Sequence, residues 1–385
     1  IHLRQKCLKI RIGNPLFSLS GIGNLIAWAL RLILTIHMRK EILDVRHQQV
    51  PYFRTTEFSE VMLDSDRLLK KFMNAPESYK SIYLTASGTG ALEATIMNCM
   101  NETDHVLVIN GGTFGQRFVD LCELHEIPHI VIKLDDGEEL TAKHFTAVEE
   151  QDFTFVIANI DETSTAQLYD INLLSSFAKK KQAYLVIDAI SSFLIDHYDM
   201  AGNNIDVTIL SSQKGLCIAP GISPIVISDR LYEERVKNNH IKNLYFDFNQ
   251  YVKNFTRGQT PFTPAVGVCL EMNKALHLIE EEGFENYLAR IDSVAKDFRN
   301  RIKELPVSLP TFTISNAVTP IRFEQPIAKD VFIILKDKYD IFVNPTGGVN
   351  EDYVLRVAHI GDTTIEDNIM LVETMKLVIK EITGK

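Results

Sequence analysis

The chain has 385 residues, 45% of them hydrophobic, which is long enough to build two cores. Its 40 Lys and Arg against 50 Asp and Glu leave a net charge of −10, which argues against a nucleic-acid role. The five cysteines, Cys7, Cys99, Cys122, Cys217 and Cys269, form no C-x-x-C pair and the histidines show no H-E-x-x-H spacing; no disulfide framework or metal site is expected, and the thiols read as reduced ones of a cytoplasmic protein.

A basic stretch, IHLRQKCLKIRI, opens the chain and leads into GIGNLIAWALRLILTIHM, an apolar run broken by Arg31. That run is shorter and more interrupted than a membrane-spanning helix of about 20 apolar residues. No small-residue cleavage site follows it, as a secretory leader would require. Residues 1–37 are therefore expected to be an atypical leader, and no membrane partner is expected.

Strands and helices then alternate. The apolar run SIYLT passes through a small, hydroxyl-rich turn, Ser87, Gly88, Thr89 and Gly90, into a helix carrying Leu92, Ile96 and Cys99. HVLVIN, PHIVIK, TFVIAN, AYLVID, DVTIL and SPIVIS read as buried strands, with GQRFVDLCELHE and INLLSSFAKKKQ as helices between them. This pattern predicts an α/β large domain over residues 38–263, a mostly parallel sheet covered by helices on both faces. A long helical stretch from Pro264 to Leu305 should connect it to a smaller C-terminal α+β domain. There the strands VTPIRFE, DIFVNP and DYVLRVAH accompany the helices AKDVFIILKDKY and IEDNIMLVETMKLVIKEI, with Gly347 and Gly348 at a tight turn. The second unit spans residues 264–385.

Two residues suggest a chemistry. Lys214, in the small-residue turn SSQKG, can form a Schiff base with an aldehyde, and Asp188, at the end of the strand AYLVID, is the partner that a pyridinium nitrogen needs. Taken singly, each also reads as a surface lysine and a helix-capping aspartate. The Ser87–Gly90 turn adds free N–H groups and the positive end of a helix dipole, which suit a phosphate. It lacks the G-x-G-x-x-G spacing of dinucleotide folds and the terminal Lys of a P-loop. Together the three features point to pyridoxal 5′-phosphate.

SGTGALEA, NGGTFGQRF, DETSTA, VIDAISSF, SSQKG, RGQTPFTPAV and VLRVAHIGD occur in this order from about residue 40 to the C-terminus. In order and spacing the blocks resemble those of class V aminotransferases of pyridoxal-phosphate fold type I, the group of the alanine:glyoxylate, serine:pyruvate and 2-aminoethylphosphonate:pyruvate enzymes. The resemblance implies a homodimeric transaminase whose partners are a small anionic amino donor and a keto or aldehyde acceptor. It implies Lys214 as the cofactor-bearing amine and Asp188 as the partner of the ring nitrogen. Ser87, Gly88, Thr89 and Gln213 would hold the phosphate, Phe114 and Ile190 would flank the ring, and Thr163 would bond its phenolic oxygen. Arg257 and Thr260 would complete the phosphate site of the neighbouring subunit. Arg356 would take the substrate's anionic group, a task that suits a planar guanidinium, with Arg54 as a further substrate-binding candidate.

The family's usual N-terminal Gly-Pro loop has no counterpart here. The resemblance leaves open an amino group acceptor or donor bearing a phosphate or phosphonate, of the 2-aminoethylphosphonate or serinol phosphate type. A desulfurase or lyase would need a C-terminal loop cysteine, yet no cysteine follows Cys269. A ligand sensor on this fold would carry a DNA-binding helix-turn-helix, and none is evident. His125, His129 and His359 read as structural.

Overall fold

The structure is a computed structural model and describes residues 38–384; the expected leader at 1–37 lies outside the described residues. In chain order the elements are α1 (Lys40–Val45), α2 (Thr56–Phe72), β1 (Lys80–Leu84), α3 (Gly88–Cys99), β2 (Val106–Asn110), α4 (Thr113–Leu124), β3 (His129–Lys133), α5 (Ala142–Thr146), β4 (Phe155–Asn159), β5 (Asp161–Glu162) and β6 (Gln167–Leu168). They continue with α6 (Ile171–Lys181), β7 (Tyr184–Asp188), β8 (Val207–Ile209), β9 (Ser223–Ile227), α7 (Asp229–Leu231), α8 (Phe248–Phe255), α9 (Val266–Glu282) and α10 (Phe284–Arg301). The last are β10 (Val307–Ser308), β11 (Val318–Phe323), α11 (Ala328–Tyr339), β12 (Asn344–Pro345), β13 (Val354–Ala358) and α12 (Ile365–Thr383).

Seven strands form the central sheet in the order β1-β9-β8-β7-β4-β2-β3. All six strands expected in this region are present. Five adjacent strands, β8-β7-β4-β2-β3, run parallel in four pairs, while β9 is antiparallel to both β1 and β8. The two faces of the sheet follow the two-residue period of the chain. Ile82, Val108, Ile157, Val186 and Ile225 pack toward α3 and α4, meeting Leu92 and Phe118, whereas Tyr83, Leu107, Val156, Leu185 and Val226 pack into a second core with α2, α6 and α9. Because both faces are covered, these strands read as continuous apolar runs.

The long helical stretch expected from Pro264 to Leu305 is two helices. Gly283 takes φ 84°, a backbone conformation that a side chain disfavours, and the chain restarts there as α10. Met272, Leu276 and Ile279 of α9, and Leu288 and Ile291 of α10, belong to the large-domain core; the small-domain core begins at Phe298. The two cores therefore divide within α10, inside the stretch expected to connect the two units.

The small domain is an antiparallel sheet of order β10-β11-β13-β12. Ile321, Phe323, Leu355 and Val357 face its core against Leu335, Leu371 and Met375. Of the expected strand DIFVNP only Asn344–Pro345 pairs. Asp340 ends α11 with φ 55°, Ile341 and Val343 turn into the core, and Pro345 has no N–H with which to extend a ladder. Gly348 takes φ 66° at the turn foreseen there.

Candidate active site

Helix α3 begins where the hydroxyl-rich turn ends. Ser87 is its cap, accepting from Gly90 N–H at 3.4 Å, and the first-turn N–H groups that no helical carbonyl reaches point out of its N-terminus. Gly88 is buried in close contact with two other segments. A Cβ there would lie 2.5 Å from Ile190 Cδ1 and 3.5 Å from Ser211 Cβ. One glycine thus touches the segment after Asp188 and the segment before Lys214, so three separate sequence blocks meet at the carboxyl edge of the sheet. Ser211 also donates to the Gln213 amide oxygen at 2.6 Å. Hydroxyls from Ser87, Thr89 and Ser211, the Gln213 amide and the α3 N-terminus make a donor set that fits a phosphate.

Asp188, the last residue of β7, is buried and accepts the Ile190 N–H at 2.8 Å. Burial raises its carboxyl to about 7, and Glu162 adds to that, against the opposing Ile190 N–H, Arg117 and Lys214. Lys214 follows β8 in a turn closed by Gly215, where a Cβ would stand 2.0 Å from the Phe193 carbonyl oxygen. Its amine is held below its ordinary value by burial, with Arg356 adding to the effect and Asp161 and Asp188 opposing it. The amine therefore lies within electrostatic reach of both Asp161 and Asp188. A buried amine beside a carboxyl able to pair with a ring N–H fits the pyridoxal phosphate expected from the sequence.

Asp161 was missed by sequence reasoning. It is fully buried, and neither carboxylate oxygen has a hydrogen-bond partner among the described residues. Burial pushes it up to about 8, Asp196 and Glu162 push the same way, and the Ser191 hydroxyl and Lys214 offset this in part. The signal available was the first letter of DETSTA, a charged residue directly after a buried strand.

Glu162, equally buried, organises the ring side. It accepts the N–H groups of Phe114 at 3.2 Å and Gly115 at 2.8 Å, which anchors the positive end of α4. Gly112 permits this, since a Cβ there would meet Ser164 Oγ at 2.1 Å. Arg117, three residues after Phe114 on the same helix face, lies over the Phe114 ring at 5.1 Å and donates to Thr89 Oγ1 at 3.0 Å. It ties the phosphate turn to the aromatic, a role that only the i, i+3 spacing in TFGQR hinted at. Thr163 donates its hydroxyl to Ser191 at 2.9 Å, and its carbonyl accepts from Arg356 Nη1 at 2.7 Å. Arg356 also donates to the Pro345 carbonyl at 3.3 Å, while its buried Nε has no partner among the described residues.

A cleft of about 640 Å³ opens between the domains, lined by Phe114, Ser164 and Thr165 from the large domain and by Arg322, Thr346 and Arg356 from the small one. It reaches the ring side of the site through Phe114 and Arg356. Three expected residues lie elsewhere. Arg54 donates to the Gln259 amide at 3.2 Å and to the carbonyls of Thr260 at 3.3 Å and Pro261 at 3.1 Å. Its guanidinium holds the RGQTPF loop. Arg257 is exposed and bonds only Asn254 in its own turn, at 2.9 Å. Thr260 donates to the Phe262 carbonyl at 2.6 Å.

The model of the family "Aminotransferase class-V" matches residues 46–349. The chain is 28% identical over 351 residues to an uncharacterised aminotransferase of Methanocaldococcus jannaschii, covering 89% of this chain and 90% of that one. It is 25% identical over 341 residues to the L-aspartate–glyoxylate aminotransferase of Paracoccus denitrificans, covering 86% and 85%. Among solved structures, the alanine–glyoxylate aminotransferase of Nostoc sp. superposes with a TM-score of 0.83 at 23% identity, covering 89% of this chain and 92% of the other.

Proposed function

Because the chain belongs to the aminotransferase class-V family and works with pyridoxal 5′-phosphate, we propose that the residues gathered around Lys214 are where it moves an amino group from a small anionic donor to an oxo acceptor. The observation that carries the assignment is the meeting of Gly88, Ile190 and Ser211 just ahead of a buried lysine that feels the charge of two buried carboxyls. When bound, the cofactor supplies an electron sink for the charge left as a proton departs from the substrate carbon.

The chain's own groups do the rest. Lys214 Nζ would tether the aldehyde and, once displaced by the donor's amine, accept the departing proton; its lowered pKa keeps a larger share of it unprotonated at neutral pH. Asp188, steadied by the Ile190 N–H, would hold the proton of the ring nitrogen. The α3 N-terminus, Ser87, Thr89 and Gln213 would bind the phosphate, Phe114 and Ile190 would orient the ring, and the Thr163 hydroxyl would meet its phenolic oxygen. Arg356, fixed by two backbone carbonyls, would take the donor's carboxylate.

The same reading makes the working unit a homodimer. Arg257 is exposed and is not among the residues that line its own cleft, and Leu63, which lies against Gly258 in the same segment, is an exposed apolar side chain. A neighbouring copy would cover Leu63 and receive Arg257 and Thr260. The cytoplasm is the proposed compartment: the four described cysteines are free and buried, and no described helix is long and apolar enough to cross a membrane.

Borohydride treatment of the cofactor-loaded protein should fix the cofactor's mass on the peptide containing Lys214, and Lys214→Ala should lose both the fixed mass and donor-driven conversion. Fixation on another lysine, or normal turnover by Lys214→Ala, would overturn the assignment.

A further inference from the structure

The cleft face of the small sheet carries a second cation that the proposed mechanism does not use. β11 and β13 pair antiparallel with Pro320 opposite Arg356 and Arg322 opposite Val354. Side chains alternate along a strand. Pro320, Arg322, Val354 and Arg356 therefore share one face, and all four line the cleft, while Ile321, Phe323, Leu355 and Val357 fill the core behind it. Arg322 and Arg356 are diagonal neighbours, with side chains rooted about 7 Å apart.

Neither arginine forms an ion pair with a described residue. Arg322 is held by neutral groups: Nη1 donates to Asn350 Oδ1 at 3.0 Å, and the guanidinium lies 5.4 Å from the centre of the Tyr353 ring. Asn350 in turn donates to Asp136 Oδ2 at 3.0 Å across the cleft. In a protein of net charge −10, two guanidinium groups side by side on a cleft wall, neither in a direct ion pair with a described residue, make a local positive surface that the molecule as a whole lacks.

Resting on the reading of Arg356 as the site of the donor's carboxylate, we infer that Arg322 binds a second anionic group, so that the preferred substrates are amino dicarboxylic acids and their oxo counterparts. Guanidinium groups rooted about 7 Å apart suit the two carboxylates of a chain of four or five carbons, each met by a planar fork. The second group is a carboxylate, not a phosphate. Asp136 stands two hydrogen bonds behind Arg322, through Asn350, and its charge disfavours a dianion at that end.

The test uses the cofactor-loaded protein and non-reacting probes, read by calorimetry: succinate, butyrate as its monoanionic counterpart, and 3-phosphonopropionate. Succinate should bind at least tenfold more tightly than butyrate, and Arg322→Gln should remove that preference while leaving butyrate within about threefold. Equal binding of the two, a preference that survives Arg322→Gln, or tighter binding of 3-phosphonopropionate than of succinate would overturn the inference. Donor-driven conversion measured in parallel separates the two ideas. If aspartate, glutamate, alanine and serine all fail to react while the succinate preference depends on Arg322, the transfer assignment falls and the two-anion site stands.

Discussion

Asp161 places a carboxyl in the interior with no hydrogen-bond partner among the described residues, and the pH dependence of the cofactor-free protein should show it. A carboxyl raised to about 8 on folding is protonated in both states below its ordinary value near pH 4, so its contribution is undiminished there. As pH climbs from about 4 to 8 the unfolded chain releases that proton and the folded chain retains it, so stability falls across this window. The groups that face Asp161 are Asp196 and Glu162, which oppose its ionisation, and Lys214 and Ser191, which favour it. Asp161→Asn should therefore lessen the fall in melting temperature of the cofactor-free protein between pH 5 and pH 8, recovering on the order of 2 kcal/mol at pH 8. Asp188, raised to about 7, has the same sign and stays in the variant, so the slope should shrink and not vanish. An unchanged slope would mean that Asp161 is ionised and compensated in the folded chain. Lys214 and Asp188 were legible as letters because their chemistry needs a lysine turn and a strand-end carboxylate. Asp161 was not, since a charged residue after a strand looks like a solvated loop until burial is known. Arg322 required the register of β11 against β13, which no single strand carries.

Among the elements, the strands were legible because five-residue apolar runs buried on both faces have few other uses. Their alternation with helices also made the mostly parallel order legible, but not the reversal of β9, since an apolar run reads alike both ways. The break between α9 and α10 rests on one glycine inside an apolar periodicity that continues through it. The turn bearing Lys214 depends on a glycine in a stronger sense. A Cβ at Gly215 would stand 2.0 Å from the Phe193 carbonyl oxygen, a main-chain atom that cannot swing aside, so either the lysine turn or the Phe193 segment must shift. Gly215→Ala should weaken retention of pyridoxal phosphate by at least tenfold, followed by absorbance on dialysis, and should lower the melting temperature. Gly267→Ala in α9 is the control, because its added methyl meets nothing within 4 Å and a helix gains about 0.5–1 kcal/mol from alanine over glycine. If Gly215→Ala retained cofactor as well as Gly267→Ala, the tight turn would not be what positions Lys214.

Across the whole molecule, the domains are joined beside the site by buried polar groups. Asp196, a few residues beyond Asp188, accepts Ser315 Oγ at 2.6 Å and the Asn316 N–H at 2.9 Å. On the small-domain side of this junction Arg299 donates to Thr319 Oγ1 at 2.9 Å, and Thr319 is 2.8 Å from His359, whose pKa burial pushes down to about 3, in keeping with a structural histidine. This junction sets the small-sheet wall against Phe114 and the Thr163 carbonyl, which is how a cleft forms from residues nearly two hundred positions apart. Arg257 has no comparable place within its own protomer: it is exposed and bonded only to Asn254, while Arg54 fixes the loop that carries it. If that loop serves the neighbouring copy, damage in two different chains should be complementary. Arg257→Ala and Lys214→Ala proteins, each expected to be nearly inactive alone, are mixed and allowed to exchange subunits. Random re-pairing of twofold dimers makes about half of them mixed, each with one intact site, so transaminase activity should return to about a quarter of normal. Mass spectrometry of differently tagged chains would confirm the exchange. Mixed dimers without regained activity would mean that Arg257 does not act across the interface, and full activity of Arg257→Ala alone would remove it from the site.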